Sequence, residues 1–377
     1  MSGETDKRKE SSMPPKLKIA MLVVGTRGDV QPFLAVAMRL QEHGHYVRLA
    51  THARFRDFVK SAGIDFYPLG GDPLVMVEFL VRNKHIIAAP GDRVILLEQL
   101  KAIIDSVPLA CTEPDPITGE PFTAQAIIAN PPAYGRVHVA EALGASLHIF
   151  SPIPGTPTNA FPHLYMQIPL SAGYWLLDEP EKMMDIILEA LKNTGQRGII
   201  DRGWGDLGST HRNIPENVFF VADYPHDWLF PQCSAVVHHG AAGTIATGLR
   251  AGCPTAVIPF CGDMFLWGKI LHKKGLAPAP IPMSQLSVES LSEAITFMLQ
   301  PKVKLRSMEL GQLIQREDGV GAAVEAFHRH LETDISSPKP SLKKVDPSNP
   351  VHWLFTQVGR FLAPTGLKKN RNHFDNL

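Results

Sequence analysis

The sequence predicts an α/β protein made of two doubly wound units, and two observations carry that expectation. Short apolar runs alternate with segments of helical periodicity along most of the chain, the pattern of parallel strands joined by crossover helices. The length, 377 residues, holds two units of roughly 150 residues each with tails to spare.

The elements follow in order. The lead-in MSGETDKRKESSMPPK is charged, has no apolar core of the kind a secretory signal needs, and is expected to be disordered. From Lys18, KIAMLVV reads as a strand and QPFLAVAMRLQEHG as a helix with Pro32 at its start. YVRLATH, ARFRDFVKSAG, IDFYPL and DPLVMVEFLVRNK repeat the alternation. A helix around Arg93–Pro108, the strand AIIAN, the helix GRVHVAEALG and the strand LHIFSPI complete one Rossmann-like half near Pro154. The segment PGTPTNAFPHLYMQIPLSAGYW is too irregular for a core element and too apolar for a plain linker, and reads as a loop that touches something greasy.

EPEKMMDIILEALKNTG is a helix, with Pro180 in its first turn, Met183, Met184, Ile187, Leu188 and Leu191 on one face, and Gly195 as its stop. Strands RGIID, NVFFVA, AVVHH and PTAVIPF follow, with helices between and after them. This second half opens on a helix, whereas a doubly wound sheet opens on a strand near its middle. A strand is therefore expected to be missing between Trp175 and Glu179. From about Asp334 the chain is Ser/Pro/Lys-rich and ends in HWLFTQVGRFL and KKNRN, an amphipathic piece that packs on a domain or, alternatively, touches a membrane surface. The expected organisation is a lead-in over 1–16, an N-terminal domain over 17–177, an incomplete C-terminal domain over 178–333, and a tail over 334–377.

Composition narrows the function. Lys plus Arg and Asp plus Glu both number 37, so there is no net field to recommend a nucleic-acid partner. No stretch approaches the roughly 20 apolar residues of a membrane helix, so any membrane contact is expected to be peripheral. Cys111, Cys233, Cys253 and Cys261 have no CxxC spacing and read as buried, reduced thiols, which fits a cytoplasmic location.

Three turns carry candidate chemistry. AVVHHGAAGTIATG (235–248) runs an apolar strand into two histidines and a run of tiny residues, with a helix expected from Thr244. Bare backbone amides and a positive helix end at one spot suit an anion, phosphate above all. Thr244 reads as an N-cap or as a hydroxyl donor to phosphate, and His239 as a ring N–H donor or a satisfied core residue. PTAVIPFCGD places Asp263 just beyond the carboxyl end of a strand, where ligands bind in such sheets, with a turn aspartate as the alternative. GTRGDVQP places Asp29 at the carboxyl edge of the first sheet. An apolar cleft would make it a usable base; a helix cap is the alternative, weakened because Pro32 has no N–H to offer it.

Taken together these residues resemble the two-domain inverting glycosyltransferases of the GT-B fold, specifically the sterol 3-beta-glucosyltransferases of plants and fungi. GTRGDVQPF, TPTNAFPH with SAGY, GQRGII with GWG, PHDWLF, VVHHGAAGT and CPTAVIPFCGD stand in that family's order across residues 17–332. The resemblance implies two Rossmann-like domains facing each other across a cleft, the second lacking its first strand. It implies transfer of glucose from UDP-glucose to a sterol 3β-hydroxyl with inversion, and no required metal or other cofactor. It makes Asp29 the base. His239, Gly240, Ala242, Gly243 and Thr244 become the diphosphate cradle, Asp263 the holder of the glucose hydroxyls, and Thr156–Trp175 part of the sterol site. A catalytically impaired remnant, or an enzyme for another hydrophobic alcohol, are the alternatives.

Three departures from the family pattern accompany the match. Ala241 stands where the family has a glycine, and Met264 replaces the glutamine of its Asp-Gln pair. Between SAGY and EPEKM, family members carry further N-domain residues, a linker, and the opening strand of the C-terminal domain with its glycine-serine turn.

Overall fold

A computed structural model of the chain describes residues 15–75, 90–115, 118–152, 180–201, 214–221, 224–259 and 262–336. The chain divides into two compact units, Met1–Arg329 and His330–Leu377. The architecture below belongs to the first. Residues 1–14 of the lead-in, the segment Thr156–Trp175, the boundary expected at 177 and the stretch HWLFTQVGRFL all lie outside the described residues.

The N-terminal half is a five-stranded parallel sheet in the order β3-β2-β1-β4-β5, formed by Lys18–Leu22, Tyr46–His52, Asp65–Leu69, Ala126–Ala129 and Ser146–Ile149 for β1 to β5. β1 is central, with Leu22 opposite Ala50 of β2 and Ala129 of β4. Ile19 to Val24 are all buried, as the central strand of a sheet covered on both faces must be. α1 (Arg27–Glu42) buries Val30, Phe33, Leu34, Ala37 and Leu40, a stripe at helical spacing that faces the core. The short α2 (Arg56–Ser61) follows β2.

Two helix boundaries differ from the sequence expectation. α1 begins at Arg27 rather than at Pro32, which sits inside the helix, because Thr26 and Asp29 cap it earlier. α3 spans Pro90–Thr112 and runs on through Pro108, whose lost N–H bond is outweighed by burial of Ile103, Val107, Ala110 and Cys111 in the core. α4 (Arg136–Leu143) lies between β4 and β5.

In the second half α5 (Pro180–Thr194) leads to β6 (Gly198–Asp201) and β7 (Val218–Val221), then to the short α6 (His226–Leu229), β8 (Val236–His238), α7 (Ala242–Arg250), β9 (Thr255–Val257) and α8 (Met264–Lys273). α9 (Val288–Met298), α10 (Pro301–Gln315) and α11 (Gly319–Ser336) follow. The strands form two separate parallel pairs, β6-β7 and β8-β9. By the order seen in the N-terminal sheet, an opening strand would lie between β6 and β8, and among the described residues none does. The stretch between Trp175 and Glu179, where the break is expected, lies outside the described residues.

The flanking pieces keep their places because α5 spans both pairs. Ile187 and Leu191 pack with Met184, Ile200 and Val218 on one side and with Ala256, Leu291 and Ala294 on the other. Apolar strand residues of these pairs stand partly in water: Ile199 is 50% exposed and Val237 41%.

The start of α11 and its Phe327–His328 stretch return to the first half. Asp318, just before the helix, pairs with Arg39 at 3.1 Å, and Phe327 lies edge-on to His148, with ring centroids 4.7 Å apart. His328 Nε2 stands 2.9 Å from His45 Nε2.

Candidate active site

Three turns at carboxyl ends of parallel strands frame the candidate site. The first joins β1 to α1. Asp29, third residue of α1, accepts the Thr26 N–H on Oδ2 at 2.8 Å and the Thr26 hydroxyl at 3.3 Å. It does cap the helix, contrary to the weakening drawn from Pro32, because its partner is the residue before the helix. Gly25, at φ 141°, passes so close that a Cβ there would lie 2.2 Å from Asp29 Oδ2. Burial pushes the Asp29 carboxyl above its ordinary value, the Thr26 hydrogen bonds oppose that, and the charge of Asp263 adds to the rise. The last influence places Asp29 within electrostatic reach of the turn after β9 that carries Asp263.

The second turn joins β8 to α7. The helix starts at Ala242, two residues before the expected Thr244, with Ala241 as its N-cap. Thr244 is thus the third helical residue and not a cap. The first intrahelical bond is donated by Ile245 to Ala241 O, so the amides of Ala242, Gly243 and Thr244 precede the ladder. A Cβ on Gly243 would meet nothing within 4 Å, which leaves this amide-bearing turn open to an approaching anion.

The two histidines divide the work of this turn. His238 accepts the Gly240 N–H on Nδ1 at 3.0 Å and stacks on Phe230 at 6.3 Å between centroids. Burial and the neighbouring His239 and His226 lower its pKa to about 3, so it is neutral. His239 is lowered as well, by burial first and His226 second, and is a neutral ring able to donate one N–H. Gly240 is held at φ 93° with Val257 and Met264 against it, and a Cβ would lie 2.4 Å from Val257 Cγ1. Gly240→Ala is therefore expected to cost about 1–3 kcal/mol of stability and to displace the turn. A lowered Tm together with weakened UDP binding checks this.

Asp263 is the N-cap residue of α8, and its Oδ2 accepts the Trp267 indole N–H at 2.9 Å. Burial raises its pKa, with Trp267 opposing. β9, α7 and α8 share one apolar cluster of Ile245, Val257 and Leu271, which fixes cradle and carboxylate relative to each other. The charge of Asp263 thus acts on Asp29, and the shared cluster ties Asp263 to the 239–244 turn. Trp267, His238, His52 and Asn130 were not singled out. Trp267 could have been found as an indole one helical turn after Asp263. Among the described residues no group of three or more His, Cys, Asp or Glu could hold a metal ion, and no helix is long and apolar enough to cross a membrane.

Two parallel α/β halves of this kind have the architecture of the GT-B glycosyltransferases. Residues 19–162 match the glycosyltransferase family 28 N-terminal domain, and 202–311 the erythromycin biosynthesis protein CIII-like C-terminal domain. Among solved structures, the glycosyltransferase of kitacinnamycin superposes with a TM-score of 0.62 at 16% identity, over 84% of this chain and 99% of that one. The calicheamicin glycosyltransferase CalG4 gives 0.57 at 14%, over 86% and 100%. At those identities the likeness concerns the fold alone.

The chain is 48% identical to sterol 3-beta-glucosyltransferase UGT80B1 of Arabidopsis thaliana, over 92% of this chain and 74% of that protein. It is 40% identical to UGT80A2 of the same plant, over 86% and 68%. It belongs to the sterol 3-beta-glucosyltransferase family. The first alignment runs over 453 positions although the chain has 377 residues, so the relative carries residues with no counterpart here.

Proposed function

We propose that the chain transfers glucose from UDP-glucose to the 3β-hydroxyl of a sterol, with inversion at the anomeric carbon. The observation that carries this reading is membership of this family, together with Asp29 and Asp263 at strand ends, the charge of Asp263 acting on Asp29, and the open Ala242–Thr244 amides. Asp29 takes the proton of the sterol hydroxyl, and the oxygen attacks the anomeric carbon from the face opposite UDP. As the bond from that carbon to the diphosphate oxygen breaks, the amides of Ala242, Gly243 and Thr244, the Thr244 hydroxyl and the His239 ring N–H meet the charge that builds on the leaving group. Gly240 gives the turn its shape. Asp263, steadied by Trp267, accepts hydrogen bonds from the glucose hydroxyls.

The N-terminal half, to about residue 177, supplies the base and the acceptor side, and the C-terminal half supplies the donor side. The sterol, a membrane lipid, is met at a membrane surface by peripheral contact.

Acceptor-stimulated UDP release tests the reading. A 3β-hydroxysterol should accelerate UDP release from UDP-glucose, and the corresponding 3-ketosteroid, which has no hydroxyl to deprotonate, should not. Equal stimulation by both, or stimulation only by non-sterol alcohols, would overturn the assignment.

A further inference from the structure

The turn that carries Asp29 is gripped from both sides by polar side chains that the mechanism above does not use. Asn130 follows β4 and is fully buried. Its Oδ1 accepts the Val24 N–H at 3.1 Å, and its Nδ2 donates to Val24 O at 2.7 Å. This two-point clamp fixes the backbone one residue before Gly25, as a strand partner would.

His52, the last residue of β2, is 1% exposed. Its Nε2 accepts the Gly25 N–H at 3.2 Å, and its Nδ1 lies 2.9 Å from Gly71 O. A ring nitrogen that accepts a peptide N–H carries no proton, so the partners assign the proton to Nδ1, which donates to Gly71 O.

We propose that His52 is a positioning residue for the transfer reaction: as a neutral imidazole spanning Gly71 O and Gly25 N–H, it fixes the glycine against which the Asp29 carboxylate rests. This inference rests on the reading of Asp29 as the base. The link from ring to carboxylate is steric and direct, since no atom larger than hydrogen fits on Gly25 without striking Asp29. Burial holds His52 below the ordinary histidine value, which keeps it in the accepting form. The charged groups acting on it are Asp72, which follows β3 and favours the cation, and Arg54, which follows β2 and opposes it. A charged His52 would turn a second N–H toward the Gly25 N–H and lose that contact.

The test compares His52→Phe, which fills the space without either bond, with His52→Gln, whose side-chain amide offers an acceptor and a donor at similar spacing. In the full chain, His52→Phe should lower kcat about 10–100-fold with UDP affinity and donor KM unchanged, and His52→Gln should restore at least a third of the native kcat. Independently of turnover, amide exchange over Val24–Thr26 should speed about tenfold in His52→Phe and return to native rates in His52→Gln. Should phenylalanine not be accommodated, His52→Asn, too short to span both partners, reads the same two quantities.

Native kcat and native exchange in His52→Phe would overturn the proposal. So would a loss confined to UDP affinity, or one that glutamine does not rescue. If Asp29→Asn itself leaves turnover intact, the base assignment fails instead; if Asp29→Asn is inactive and His52→Phe is not, only the role of His52 fails.

Discussion

Asp29→Asn is expected to lower turnover by about 10²–10⁴-fold, the usual contribution of a positioned general base, while leaving UDP affinity almost unchanged. Asparagine is the informative replacement because its carbonyl oxygen can still accept the Thr26 N–H and keep α1 capped. The two roles of this residue are thereby separated: capping survives, proton acceptance does not. Thermal stability should be unchanged or higher. Burial raises the pKa of Asp29 in the folded chain, so its ionised form is the costly one. That cost is in force at neutral pH and disappears as pH falls through the raised value; the neutral amide removes it at every pH. For the same reason kcat/KM of the native enzyme should fall on the acid side at a pH above that of an ordinary aspartate. A loss of UDP binding in Asp29→Asn would instead mark the residue as a structural cap.

The second large effect concerns the broken sheet. Insertion between Trp175 and Glu179 of the segment that the family resemblance implies there should join β6-β7 to β8-β9 through a new central strand. Backbone N–H and C=O groups on two open edges would gain partners, each worth about 0.5–1.5 kcal/mol net. A rise in Tm of at least about 5 °C is expected from a handful of such bonds. The turn after that strand would face the donor diphosphate opposite Ala242–Thr244. Added amide donors at a leaving group are worth about 10²–10³-fold in rate, and turnover should rise accordingly.

Most of the scaffold was legible in the sequence because buried parallel strands are written as short apolar runs with nothing to imitate them. KIAMLVV, YVRLATH and AIIAN each became a strand of the first sheet, and RGIID and AVVHH each became a strand of one of the two later pairs. Helix starts were harder. The run Gly240–Gly243 reads as a bare turn because its glycines disfavour helix, yet the chain turns helical at Ala242, a strong helix former. The cap on α1 was misjudged because the acceptor of the Thr26 N–H lies inside the helix, three residues on.

In the site, Asp29, His239, Thr244 and Asp263 stood out because polar residues at strand ends beside small residues are few. His52 and Asn130 were equally polar and equally at strand ends, but their partners lie 27 and 106 residues away in sequence. Only the strand order β2-β1-β4 brings them to one turn. What could have flagged them is a histidine and an asparagine closing apolar runs with no local group to bond.

The most direct measurement is steady-state formation of steryl glucoside from UDP-glucose and a 3β-hydroxysterol by three proteins side by side: the chain as it stands, the chain with the segment inserted, and the inserted chain carrying Asp29→Asn. The account predicts a β-linked glucoside, formed about 10²–10³-fold faster after insertion and reduced to near background by the asparagine. No steryl glucoside from any of the three, an insertion that leaves the rate unchanged, or an asparagine variant as active as its parent would contradict it.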